Sequence, residues 1–227
     1  MLQILFENEE LVAINKPNGL LTHRTKISED KIFALQLVRD QIGQRVYPVH
    51  RLDRATSGVL LFAKNSEMAS TLGKLIQEQK VDKTYLAIIR GFVEETGVMD
   101  LPLFSEKKNK MQPAETRWRR LAQVEMPWEI SRYPTSRYSL VEVTPVTGRH
   151  QQIRKHFAQI RHPIIGDRRH GDVKHNNYWR DHFNLNHLWL HALKMKFDFS
   201  ERSIELYSPL PKSWDDYLEK FWGWILS

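Results

Sequence analysis

The 227-residue chain contains no cysteine. That absence removes disulfides, thiolate nucleophiles and cysteine-ligated zinc together. No stretch approaches the roughly 20 consecutive apolar residues of a membrane span. The opening residues, Met1-Leu2-Gln3-Ile4-Leu5-Phe6-Glu7, lack the charged segment and small-residue cleavage site of a signal peptide. A soluble, cytoplasmic protein with no membrane partner is therefore expected. There is no internal repeat, no low-complexity tract, and no Rossmann or P-loop glycine string. Ten histidines invite a metal, but His150, His156 and His162 are six apart, which turns each by about 240° on a helix. They cannot share a face, no His-Glu-x-x-His string occurs, and no metal is expected.

What is present suffices for a full core: 41% of the residues are hydrophobic, enough for one domain with or without an elaboration. Lys and Arg number 34 against 27 acidic residues, a net charge of +7. The excess is clustered. Arg149 to Arg180 holds eight cations against Asp167 and Asp172, and Lys107 to Arg120 holds six against Glu115. Clustering of this kind is the footprint of a polyanion partner, although a charge run is also a common solvated face.

Apolar periodicity and turn residues give a coarse order of elements. Strands are predicted at Ile4-Leu5-Phe6 and Leu11–Ile14, before a break at Asn15-Lys16-Pro17-Asn18-Gly19. A helix follows, capped at Ser28 with Glu29 and Asp30 in its first turn, with Ile32, Leu35, Val38 and Ile42 on one face up to Gly43. Val59–Ala63 reads as a buried strand, then a helix capped at Asn65 or Ser66 buries Met68, Leu72, Leu75 and Ile76. Lys83–Gly91, Tyr138–Val143, Leu193–Phe199 and Ile204–Tyr207 read as strands. Residues 92–136, with four prolines, read as an irregular insertion or long hairpin. A helix opens at Thr147 and buries Ile153, Phe157 and Ile160, and residues 162–172 form a loop. The last helix starts at Ser213 and carries Trp214, Leu218, Phe221, Trp222 and Ile225.

Three strings carry chemistry. In His50-Arg51-Leu52-Asp53-Arg54-Ala55-Thr56-Ser57-Gly58 one carboxylate stands between two arginines, ahead of a turn feeding a buried strand. A nearby cation favours the charged form of a carboxylate, and on extended backbone Arg51 and Asp53 share a face. A structural ion pair beside a turn is the plainer alternative. Tyr85, in Lys83–Gly91, is either a core aromatic with a satisfied hydroxyl or a ring presented to a ligand. Arg154 lies directly beside the apolar stripe of its helix, placed to meet a buried carboxylate or, more plainly, solvent.

Taken together, these strings resemble the three signatures of the RluA-type pseudouridine synthases, in family order: His50 to Gly58, Lys83-Thr84-Tyr85-Leu86-Ala87 ending at Gly91, and Thr147-Gly148-Arg149-His150-Gln151-Gln152-Ile153-Arg154. Asn15-Lys16-Pro17-x-Gly19 is similar to a segment near the start of such enzymes, which implies that its loop borders the site. The chain departs at Gln151, where the family usually carries histidine. Arg132-Tyr133-Pro134-x-x-Arg137-Tyr138 and Arg161–Asp172, with its Gly166-Asp167-x-x-His170-Gly171, resemble the tRNA-modifying branch in particular.

The resemblance implies a mixed α/β (α+β) fold: a long, largely antiparallel sheet flanked by helices, with a catalytic cleft across its middle. It implies one catalytic domain over 1–227, with no S4-like domain. The implied reaction is cofactor-free isomerisation of uridine to pseudouridine, at position 65 in the T-stem of tRNA, by a monomer. The implied roles are Asp53 as the catalytic carboxylate, Arg154 as its ion-pair partner, Tyr85 against the target base, and Arg51 as the wedge filling the space that base leaves. His50, Thr56, Arg149 and Ile153 complete the substrate contacts. Three alternatives stay open: the same chemistry on 23S ribosomal RNA, a basic RNA-binding protein without catalysis, and a metal-dependent nuclease.

Overall fold

The computed structural model describes residues 1–23 and 32–222. In chain order the first elements are β1 (Gln3–Glu7), β2 (Leu11–Lys16), α1 (Ala34–Ile42), β3 (Tyr47–Pro48), β4 (Ser57–Ala63) and α2 (Ser66–Gln77). Then come β5 (Val81–Arg90), β6 (Thr96–Asp100), β7 (Leu103–Ser105), β8 (Lys110–Gln112), β9 (Glu115–Met126) and β10 (Ser136–Pro145). The remainder is α3 (Gln152–Gln159), α4 (Val173–Phe183), β11 (Leu190–Phe199), β12 (Arg202–Tyr207) and α5 (Lys212–Trp222). The class is mixed α/β and the strands pair mostly antiparallel, as the resemblance implied. No described helix is long and apolar enough to cross a membrane. Two compact units divide the chain: Met1–Lys83 with His191–Pro209, and Thr84–Leu190 with Leu210–Ser227.

In the first unit β2 runs antiparallel to β1 and β4, β3 adds to β4, and β11 forms a hairpin with β12. Pairing of β4 with β11 is parallel, His191 opposite Ser57 and Ala192 opposite Gly58. With partners on both edges and cover on both faces, β4 is buried at all seven positions, which is why its sequence is continuously small or apolar rather than alternating. One face collects Leu11, Ala13, Val59, Leu61, Met195 and Phe197 under Met68 and Leu72 of α2. Asn65, not Ser66, caps α2, its Oδ1 accepting from the Met68 N–H at 2.8 Å. α1 begins at Ala34, later than expected: Ile32 is exposed, and Phe33 bridges Leu21. The expected cap at Ser28, with Glu29 and Asp30, lies outside the described residues, as does Ile225 of the last helix.

In the second unit β10 pairs antiparallel with β5 and β9, and β9 with β6. Residues 92–136 hold β6, β7, β8 and β9, of which β7 and β8 make a separate two-stranded ribbon. Helix α3 starts at Gln152, five residues after the expected opening at Thr147. Thr147 to Gln151 form a turn bracketed by Gln152, whose Oε1 accepts from Thr147 Oγ1 at 2.6 Å and from the Arg149 N–H at 3.0 Å. Helix α4 has no apolar stripe strong enough to announce it in the sequence. Asp172 caps it, accepting from the N–H groups of Lys174 and His175 at 2.9 and 3.2 Å. The core here is aromatic: Trp128 has its ring centroid 5.6 Å from Trp179, 5.1 Å from Phe183 and 5.4 Å from Phe221. α5 joins that core through Phe221 and through Trp214, 4.5 Å from Trp189.

Candidate active site

The first unit holds Asp53 on a tight turn. The Thr56 N–H donates to the Asp53 carbonyl at 3.1 Å, closing the turn, and the Thr56 side chain is buried. Leu52, also buried, is gripped by Thr22, whose Oγ1 donates to the Leu52 carbonyl at 3.1 Å and accepts from its N–H at 3.3 Å. The Asn15–Gly19 loop is stitched to the far side of the turn: the Gly19 N–H donates to the Arg54 carbonyl at 2.9 Å, and Arg54 Nε donates back to the Gly19 carbonyl at 3.0 Å. Asn18 Nδ2 donates to the Ala55 carbonyl. The backbone that presents Asp53 is therefore held from two directions, with the side chain half-buried and Arg51 and Arg54 exposed.

Beneath this turn lies Lys16, a residue that sequence reasoning did not place in the site. It is completely enclosed, and its Nζ donates to the carbonyls of Pro17, Leu20 and Arg54 at 2.9, 2.8 and 3.3 Å. Burial pulls its pKa down to about 7, against the opposing pull of the Asp53 charge. Three carbonyls match the three N–H bonds of an ammonium, and a neutral amine would leave one unmet.

His50 is a brace. Its Nε2 accepts from the Leu61 N–H of β4 at 3.0 Å, and burial, reinforced by the Lys83 charge, lowers its pKa to about 3. The ring is neutral at physiological pH. Ser57, at the start of β4, bonds His191 of β11 at 2.8 Å.

In the second unit Tyr85 is half-buried, whereas Leu86 to Ile89 beyond it are fully buried. It stands opposite Val143 on β10. Ile153 is buried with Phe157 on the inner face of α3, as its spacing predicts. Arg149 is half-buried, its Nε donating to the Pro113 carbonyl at 2.9 Å. Gln151, the position that departs from the synthase signature, has left-handed backbone (φ 56°) and lies 2.8 Å from His170 Nε2 through its Oε1.

Arg154 is buried, not a surface arginine. Its Nε and Nη2 meet the two carboxylate oxygens of Asp167 at 2.7 and 2.8 Å. Asp167 is buried as well, and its Oδ1 also accepts from the N–H groups of Arg169 and His170 at 2.9 and 3.0 Å. Burial pushes this carboxyl upward, but the hydrogen bond and charge of Arg154, with the two backbone donors, overcome it and hold the group below the ordinary carboxylate range. Asp167 was legible only as part of a loop string. The signal available was a lone aspartate after Pro163-Ile164-Ile165-Gly166, a run too apolar for a solvent loop.

The remaining histidines of the metal question have other partners. His156 is buried between Thr116 Oγ1 and the Leu101 carbonyl, each at 2.9 Å, and His162 Nδ1 bonds the Arg90 carbonyl at 2.9 Å. Among the described residues no three His, Asp or Glu side chains come together as donors for a metal ion.

Comparison with known proteins gives one consistent answer. The family of RNA pseudouridylate synthases matches residues 10–159. The chain is 45% identical over 237 residues to tRNA pseudouridine synthase C of Pectobacterium carotovorum subsp. carotovorum, covering 99% of this chain and 63% of that protein's length. It is 42% identical over 234 residues to tRNA pseudouridine synthase C of Vibrio vulnificus (strain CMCP6), covering 97% and 96%. Among solved structures, human RNA Pseudouridylate Synthase Domain Containing 4 superposes with a TM-score of 0.74 at 24% identity, covering 96% of this chain and 92% of its own. Human RNA Pseudouridylate Synthase Domain Containing 1 gives 0.74 at 21%, covering 93% and 84%. These structural likenesses speak for the fold.

Proposed function

The chain belongs to the RNA pseudouridylate synthase family and is an RNA pseudouridine synthase, and from that premise we propose that its substrate is tRNA, at the uridine of position 65 in the T-stem, with Asp53 as the catalytic carboxylate. The relatives that are 42–45% identical over nearly all of this chain bear the name tRNA pseudouridine synthase C, which supports the choice of tRNA. The observation that carries the choice of Asp53 is the turn it stands on, closed by Thr56, gripped through Leu52 by Thr22, and underpinned by Lys16.

In this reading Asp53 acts on the ribose, as nucleophile at C1′ or as base toward the 2′ hydrogen. The N1–C1′ bond breaks, the base turns, and C5 bonds to C1′. The proton lost from C5 is balanced by one gained at N1, with no net redox change and no cofactor. Arg154 orients the carboxylate, and Tyr85 packs on the base. His50 and Thr56 set the loop, while Arg149 and Ile153 lie along the substrate path. A uridine in a stem must leave the stack at a cost of a few kcal/mol, and Arg51, exposed at the head of the turn, fills the gap. Exposed cations of the two basic blocks contact phosphates. The whole chain works as one catalytic body, a cytoplasmic monomer.

The test is release of tritium from tRNA transcript labelled at uridine C5, with chelator present. Wild type releases label and Asp53→Ala does not. Release from ribosomal RNA fragments but not from tRNA moves the substrate; equal release by Asp53→Ala removes Asp53 from the chemistry.

A further inference from the structure

The buried partner of Arg154 belongs to a loop that is fixed along most of its length. From Ile165 to Asp172 the chain is tied down at almost every step. Gly166 has φ +77°, and a Cβ there would stand 1.9 Å from the His187 carbonyl oxygen. A Cβ on Gly171 would stand 2.1 Å from the Asp167 carbonyl oxygen. Asn176 of α4 clasps the segment between these glycines, accepting from the Gly166 N–H at 2.7 Å and donating to the Asp167 carbonyl at 2.9 Å. The carboxylate itself accepts from two N–H groups of its own loop and from two nitrogens on one edge of a guanidinium. Such a cage defines the carboxylate's position and, through it, the plane of Arg154.

We propose that Asp167 is the positioning residue of Arg154: caged by its own loop and by Asn176, it fixes the guanidinium side-on. This rests on the reading that Arg154 serves Asp53. Asp167 touches neither substrate nor reacting atoms in this role, and its contribution passes wholly through Arg154. An acceptor that is uncharged, or one methylene too long, should therefore disturb the rate of the chemical step and leave the affinity for RNA alone.

The experiment is a double-mutant cycle on the full chain with tRNA transcript, read as kcat and KM separately, with thermal melting to verify folding. Asp167→Asn is expected to lower kcat at least tenfold with KM changed less than twofold, and Asp167→Glu to recover part of that loss. Asp167→Asn added to Arg154→Gln should cost less than threefold beyond Arg154→Gln alone, because the residue acted upon is already gone. A folded Asp167→Asn at wild-type kcat, or losses that multiply in the double variant, would overturn the proposal. Should Asp167→Asn not fold, Asp167→Glu carries the test: it retains the charge, and a loss that persists in the Arg154→Gln background refutes action through Arg154. The underlying reading fails separately, by full activity of Arg154→Gln or Asp53→Ala while the Asp167 variants are still slow.

Discussion

A Cβ at position 58 would lie 2.1 Å from the carbonyl oxygen of Ala192. Gly58 also has φ +111°, so the position excludes side chains twice, by overlap with the parallel strand β11 and by backbone conformation. Gly58→Ala is expected to lower the unfolding free energy by roughly 2–5 kcal/mol, adding overpacking to positive-φ strain. Gly73, inside α2 with nothing within 4 Å of its missing Cβ, is the internal control. Gly73→Ala should stabilise by about 0.5–1 kcal/mol. Urea unfolding of both variants decides the matter, and a neutral Gly58→Ala would mean that β4 and β11 are not so closely apposed.

The contrast with Asp167 shows where sequence stops being sufficient. Gly58 was legible because Thr-Ser-Gly before an apolar run is a local pattern, and so were β4, α2 and the stripe of α3. Asp167 was not, because its meaning lies in a contact with Arg154, 13 residues away around a loop, and no periodicity reports such a pairing. The charge count needs one correction: Arg180, the last cation of the block between Arg149 and Arg180, lies 2.8 Å from Asp181 just past it, while Arg154 and Asp167, already set against each other in that count, pair in the interior. Lys16 was legible only as part of the Asn15–Gly19 loop bordering the site, and only the crowding of three carbonyls around its ammonium shows its part there.

Acid should unfold this protein through its histidines. His50 and His191 are held neutral by burial, with pKa values lowered to about 3 and about 4. The unfolded chain takes up a proton on each below about pH 6.5, and the folded chain does not. Stability is therefore complete above 6.5 and falls as the pH drops toward 4 and 3. The limiting slope is about 1.4 kcal/mol per pH unit for each histidine, which amounts to about 3 kcal/mol for the pair between pH 6.5 and 5. Urea midpoints at pH 5, 6 and 7 give the slope, which His191→Asn should reduce by about half. Midpoints that stay level across this range would show that the two rings are protonated in the folded state.

Lys16 gives the opposite sign. Its folded pKa is near 7 and its ordinary value 10.5, so between those limits the unfolded chain holds the extra proton and stability rises with pH. Lys16→Met removes the rise, and wild type should gain on the variant from pH 7 to pH 9. At pH 7 the variant loses three hydrogen bonds but also the cost of burying a charge, and the net change should stay within about 2 kcal/mol. Release of the Arg54 and Leu20 carbonyls nevertheless loosens the turn under Asp53, so kcat should fall by about tenfold or more. A variant as active as wild type would show that the turn does not depend on the ammonium.

The β7–β8 ribbon should carry a measurable part of the affinity for RNA. Lys107 and Lys108 at its turn and Lys110 beside it are exposed, and Phe104 and Met111, paired across the ribbon, are about half exposed. Glu106, the acid nearest this turn, is already engaged at 3.4 Å by Arg169, which leaves the three lysines for phosphates. Each phosphate contact contributes about 0.7–0.9 to the slope of log affinity against log salt. Replacing all three lysines by alanine should reduce that slope by about 2 and weaken binding most at low salt. The catalytic rate at saturating RNA should be unchanged, because the ribbon holds none of the residues assigned to the chemistry. A slope unaltered in the triple variant would place the phosphate contacts elsewhere, first among the exposed cations between Arg161 and Lys174.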